Sequence, residues 1–166
     1  MKNLKLVLWV FIIWLIETVF LRFIKIGGIA PDLLYVFILC LAYREREPKV
    51  YISVAALCGI LAETTGYQCI GFQLILFVCS VFLVVMLGEL IYKNFFVLIV
   101  PISGVFSFAA NSLYYALNSE VMNSLTYVKA IETVILPVSV YNAAVAAVVL
   151  FLLDMTVYKG KKSFGR

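Results

Sequence analysis

Acids and carboxamides set inside apolar sequence are the residues of this chain that could do chemistry. Glu17, Asp32, Glu63, Gln73, Asn111 and Asn142 each lie in or at the edge of a long apolar run. Carboxylates in such surroundings can pair with a cation, hold a ligand or, in principle, pass protons, and carboxamides can cross-link helices. What is missing limits that chemistry. The chain has no histidine, which removes the commonest metal ligand and the commonest neutral-pH general base. No nucleophile–base pair, glycine-rich phosphate loop or metal-ligand spacing can be traced. Cys40, Cys58, Cys69 and Cys79 form no C-x-x-C pair, and three of them fall inside apolar runs. They read as small packing residues rather than as a disulfide framework or zinc site. The pattern points away from an enzyme and requires no cofactor and no metal.

The elements that carry these residues follow from composition. Of 166 residues, 65% are hydrophobic and only 13% charged, against about half and about a quarter in an ordinary soluble domain. A chain this short cannot hide that much apolar surface from water, so a lipid bilayer is the expected surrounding. The net charge is +4, but no basic run is interleaved with aromatics in a polar segment. No nucleic-acid partner is expected.

A helix that spans a bilayer needs about 20 residues. Six candidates occur, at about 4–24, 29–43, 50–66, 70–92, 95–117 and 134–158, in a single membrane domain covering 1–166. The expected fold class is therefore all-α, a polytopic membrane protein with six spans. Lys2 and Lys5 precede the first run as they would in a signal peptide. That run, however, contains Trp9, Trp14 and Glu17 and is followed by no small-residue cleavage site, so it reads as an uncleaved helix. Gly27-Gly28 breaks the first span, and Pro31 falls in the first turn of the second, where its missing N–H costs little. Arg44–Lys49 is the clearest polar loop. The link Tyr67-Gln68-Cys69 is short enough to make spans three and four an antiparallel hairpin. Lys93-Asn94 marks the next turn, Asn118–Glu132 is a polar stretch, and Pro137 sits near the start of the sixth span. No internal repeat or low-complexity segment stands out.

Loop charges set the expected orientation. With six spans the termini share a side. That side carries ten of the lysines and arginines, and the other carries three, Arg22, Lys25 and Lys129. The positive-inside rule places both termini in the cytoplasm. At about 1.5 Å per residue, Glu17, Asp32, Glu63, Gln73, Asn111 and Asn142 all fall in the outer half, and Glu89 lies near the cytoplasmic end of the fourth span. Two readings remain open. The groups can sit in interfacial water and headgroups, which suits Asp32 and Gln73 at helix starts. Alternatively they line an outward-facing polar cavity or protein contact surface, which suits the deeper Glu17, Glu63 and Asn142, with Arg22 and Lys25 as nearby cations. Ala55/Gly59 and Ala62/Gly66 are small-xxx-small pairs that allow helices to approach closely. Ala143, Ala144, Ala146 and Ala147 enrich the sixth span likewise. Spans three and six are the expected central packing helices.

Several blocks in order resemble one family. Pro31-Asp32-Leu33-Leu34 opens a span that closes on Tyr43-Arg44. Gly59-Ile60-Leu61-Ala62-Glu63 is followed by Gly66 and then Gly71-Phe72, and Tyr141-Asn142 lies in an alanine-rich last span ahead of a basic tail. This series resembles the rod shape-determining protein MreD over essentially the whole chain. No block is specific alone; Glu63 stands where the family more often has aspartate, and the match is thin between spans five and six. The resemblance implies a bacterial plasma-membrane protein similar in architecture to the substrate-binding subunits (S components) of energy-coupling-factor vitamin transporters. It also implies a non-enzymatic role in lateral peptidoglycan synthesis and cell shape, with MreC as binding partner and RodA, a penicillin-binding transpeptidase and MreB as direct or indirect associates. The competing expectation is a vitamin-transporter binding subunit. Such subunits usually carry an alanine-based docking surface on the first helix, and the run Leu6–Leu21 has neither alanine nor glycine.

Overall fold

The structure, a computed structural model, describes residues 2–20, 29–45, 47–64, 71–90, 95–118 and 126–156. The architecture is all-helical, with six helical segments among those residues. Helix α1 (Lys2–Leu15) runs directly into a π-helical turn (Ile16–Phe20). Helices α2 (Leu33–Arg44), α3 (Pro48–Glu63), α4 (Phe72–Leu90) and α5 (Phe95–Leu117) follow. The last, α6, opens with one turn (Tyr127–Ala130), passes through a second π-helical turn (Ile131–Ile135) and continues as Leu136–Thr156.

Local chemistry explains several ends. Pro48 is at the start of α3, where an amide without a helical partner is expected anyway. Gly71 precedes α4 with φ of 86°, a left-handed conformation that a Cβ disfavours. Its carbonyl accepts from the Ile75 N–H at 3.1 Å, so this backbone kink starts the helix. Arg44 places a cation at the negative end of α2.

The core is arranged around α2. Every residue from Leu34 to Tyr43 is buried, as expected of a helix that is apolar all round and enclosed by others. It contacts α1, α3, α4, α5 and α6. The most extensive pairings are α3 with α4 and α5 with α6. Both use small residues. A Cβ added at Gly59 would stand 2.6 Å from the Leu74 Cα, so α3 and α4 meet backbone to backbone there. One added at Gly104 would come within 3.2 Å of the Ala143 Cβ. Helices α3 and α6 do pack through small residues, as expected, but the central helix is α2. An alanine stripe serves one close contact, whereas a short helix with large apolar residues on every face needs enclosure.

The outer surface is apolar too. Val105 (67% exposed), Ile75 (62%), Val140 (62%) and Phe151 (61%) face outward. Two stretches, Leu98–Leu117 and Tyr127–Leu153, are long and apolar enough to cross a membrane. Leu33–Arg44 and Phe72–Gly88 are shorter apolar helices.

Some boundaries differ from the sequence expectation. Helix α2 begins at Leu33, so Pro31 precedes the helix instead of occupying its first turn, and Asp32 is the N-cap. The last helix begins at Tyr127 rather than near Val134. Lys129, Glu132 and Thr133 make that stretch look like a loop, yet all three are exposed on the helix surface. Glu45, in the polar loop after α2, is only 6% exposed and accepts from the Glu47 N–H at 3.2 Å. Cys40 and Cys58 are buried free thiols within the core, whereas Cys79 is exposed on α4 and is not enclosed as a packing residue would be. Arg22, Lys25, Cys69, the Tyr67–Cys69 link, the Lys93-Asn94 turn and the basic tail lie outside the described residues.

Candidate functional site

A buried helix start creates the site. Helix α2 has only 12 residues, about 18 Å of length, beside α5 with 23. Its first turn therefore opens among the side chains of longer neighbours. The N–H groups of a first turn have no intrahelical acceptor, and burial without one is costly. Acids and amides from three elements meet that need. The Asp32 carboxylate accepts from the Tyr35 N–H at 2.9 Å. Glu17, from the π-helical turn of α1, accepts from the Leu34 N–H at 3.0 Å. The Asn142 Oδ1 atom, from α6, accepts from the Asp32 N–H at 2.9 Å. Two carboxylates thus share the positive end of one helix dipole.

The network continues through Asn142, whose Nδ2 donates to the Ser107 Oγ at 2.7 Å. Asn111, one turn along α5, donates to the Ser107 carbonyl at 2.8 Å and lies 3.4 Å from its hydroxyl. Asn142 and Ser107 are fully buried, so the pair links α5 to α6 and, through Asp32, to α2. Tyr35 extends the polar layer to α4: its hydroxyl is 2.7 Å from the Ser80 Oγ and 3.4 Å from the Phe106 carbonyl. Its ring leans on Phe77 at 5.1 Å.

Glu63 repeats the device at a second helix start. From the end of α3 it accepts from the Leu74 N–H in the first turn of α4 at 3.3 Å. Gln73, the neighbouring residue, is 4% exposed. It lines a small open cavity of about 20 Å³ together with Asp32, Tyr35, Phe72, Leu76, Ala110, Asn111 and Tyr114. Such a volume suits one water-sized group. Phe72 and Tyr114 stand 6.2 Å apart at its rim, inclined at 45°. A larger cavity, about 190 Å³, lies elsewhere, between α1, α2 and α6, and is walled almost wholly by apolar side chains such as Trp9, Ile13, Phe37 and Val149.

Of the six residues singled out from sequence, Glu17, Asp32 and Asn142 meet at the first turn of α2. Asn111 joins them through Ser107. Gln73 shares a cavity with Asp32 and Asn111, and Glu63 caps the adjacent helix. Glu89 is in the last turn of α4, at the other end of that helix. Ser107, Ser80 and Tyr35 escaped the sequence reading. Their signal is spacing: Ser107 and Asn111 are four apart on α5, Gln73 and Ser80 seven apart on α4, and Tyr35 three after Asp32. Each spacing puts two polar groups on one helix face.

Among the described residues no group of three or more His, Cys, Asp or Glu could hold a metal ion. What the arrangement does is order α1, α2, α4, α5 and α6 against one another and leave a few acceptor atoms around a small opening. No protein-family model, no curated protein and no solved structure matches the chain.

Proposed function

We propose that this chain is a bacterial plasma-membrane protein with six spans and both termini in the cytoplasm. It acts as a non-enzymatic adaptor of the rod elongation complex, supporting lateral peptidoglycan synthesis and the regulation of cell shape. MreC is its direct partner; RodA, a penicillin-binding transpeptidase and MreB associate directly or through others. The observation that carries this reading is where the costly polar groups go. Glu17, Asp32, Asn142 and Ser107 take part in fastening α1, α2, α5 and α6 to one another. That use suits a scaffold whose product is a fixed shape. The apolar outer surface, with residues such as Ile75, Val105 and Phe151 exposed, suits lipid and the membrane segments of partners. The ordered series of sequence blocks shared with MreD supplies the process.

A vitamin-transporter binding subunit fits less well. Ligand pockets that enclose drug-sized molecules measure about 300–1,000 Å³ and carry polar anchors. Among the described residues, the polar cavity beside Asp32 is about 20 Å³ and the apolar one beside Phe37 about 190 Å³. The direct test is depletion from the host with imaging of cells and of new wall insertion. Rounded cells and lost lateral insertion are expected; rods with an unchanged insertion pattern would sink the proposal.

A further inference from the structure

The cavity beside Asp32 has an accounting that points to a ligand. Asp32 spends one carboxylate oxygen on the Tyr35 N–H, which leaves the other. Asn111 spends its amino group on Ser107, which leaves its carbonyl oxygen. The Tyr35 hydroxyl is engaged by Ser80. Gln73 is 4% exposed, and its carboxamide has no hydrogen bond among the described residues. It stands at the wall of the open cavity, so a group entering there would find an amide donor and acceptor that no group among the described residues engages. The atoms left over are mostly acceptors, which selects a ligand that donates several hydrogen bonds. Charge selects further. Neither Asp32 nor the adjacent Glu17 has an ion pair among the described residues, so an arriving cation would meet acids that no cationic side chain there already holds. The rim adds the rings of Phe72 and Tyr114, and aromatic faces attract cations.

We propose that this cavity is a binding site for a primary ammonium group, seated on Asp32, Gln73 and Asn111 and entering past Phe72 and Tyr114. An ammonium matches a space for one water-sized group, and its alkyl stem lies along the two rings at the mouth. Helices α4 and α5 touch each other only slightly, which leaves the entry between them open. The group can come from a free alkylamine or from a lysine side chain of another polypeptide. The inference rests on this local geometry and not on the cell-shape reading, so either can fail alone.

The test uses the full chain purified in detergent micelles and titrated with n-butylammonium chloride, with sodium chloride at equal ionic strength as reference. A saturable rise in the unfolding midpoint is expected with butylammonium. Sodium should give none, and neither should tetramethylammonium, which has no N–H and is too bulky. Gln73→Leu and Asp32→Asn should each weaken apparent binding at least about tenfold, the loss expected for one charge-assisted hydrogen bond. Asp32→Asn keeps an N-cap oxygen for the Tyr35 N–H, so it removes charge while preserving the helix start. An equal rise with sodium, no saturation, or undiminished binding in both variants would overturn the proposal. A photo-crosslinking residue at Tyr114 in native membranes then separates the sources. An adduct to another polypeptide identifies a lysine. Its absence, with butylammonium binding retained, identifies a free amine, and both results keep the ammonium site.

Discussion

Ile16-Glu17-Thr18-Val19 in α1 and Ile131-Glu132-Thr133-Val134 in α6 carry the same four residues in the same order. Both fold as a π-helical turn. In both, the threonine hydroxyl donates to the carbonyl four residues back, Thr18 to Trp14 at 2.9 Å and Thr133 to Lys129 at 2.7 Å. A π turn shifts the backbone ladder to i→i+5, and a threonine that bonds back in this way takes up a carbonyl. The local geometry therefore follows the local sequence. The glutamates do not. Glu17 is half-buried and holds the first turn of α2, whereas Glu132 is exposed at the outset of α6. A buried helix start stands beside one and not beside the other. Tertiary surroundings, not the tetrapeptide, make Glu17 part of the site.

The strongest way to break that contrast is to remove the acceptors around α2. Asn142→Leu strands the Asp32 N–H and leaves the Ser107 hydroxyl only its longer contact with Asn111. Each buried polar group left unpaired costs about 1–3 kcal/mol, so this variant should show the largest loss of stability in denaturant unfolding in micelles. Glu17→Leu strands only the Leu34 N–H and should lose about 1–3 kcal/mol. Glu17→Gln keeps a carbonyl acceptor and should recover much of that. If Glu17→Leu proved as harmless as Glu132→Leu, the assignment of Glu17 as a cap would be wrong.

Gly59→Ala tests whether the second acid-capped start obeys the same logic. The added methyl would press on the Leu74 Cα and displace the turn whose N–H Glu63 accepts. Overpacking of this kind costs about 1–3 kcal/mol, and backbone contact leaves little room to relax. Because one displacement removes both contacts, Gly59→Ala and Glu63→Leu should be non-additive, the double variant losing less than the two single losses together. Simple additivity would separate the glycine contact from the cap.

Much of this was legible before any coordinates. The helical class follows from unbroken apolar runs, and the unusual placement of Glu17, Asp32 and Asn142 follows from the cost of polar groups there. Gly71 announces a turn. Other features were not legible, for identifiable reasons. Length and hydropathy read α2 as an ordinary span, because neither reports what surrounds a helix; its enclosure by its neighbours is a tertiary fact. The α6 start was obscured because Lys129, Glu132 and Thr133 belong to an exposed helical face that composition cannot tell from a loop. Ser107 is a small residue of no distinction in sequence, and it becomes a hub only when α6 brings Asn142 to it. A four-residue identity is likewise too short to count as a repeat until two π turns give it meaning.

The smallest effects test the shared half of the comparison. Thr18→Val and Thr133→Val delete the same hydroxyl from the same kind of turn while keeping a β-branched side chain of similar size. Each exchanges one local side-chain-to-backbone bond, worth about 0.5–1.5 kcal/mol, partly offset because the carbonyl can find another donor. The two losses should therefore agree within about 0.5 kcal/mol, with Glu132→Leu, a surface substitution, near wild type. Agreement would show that the turn is a local property carried wherever Ile-Glu-Thr-Val occurs in these helices. A loss at Thr18 well above that at Thr133 would mean that the first turn is held by α2 through Glu17. The π geometry of α1 would then be a consequence of the site and not a part of what builds it.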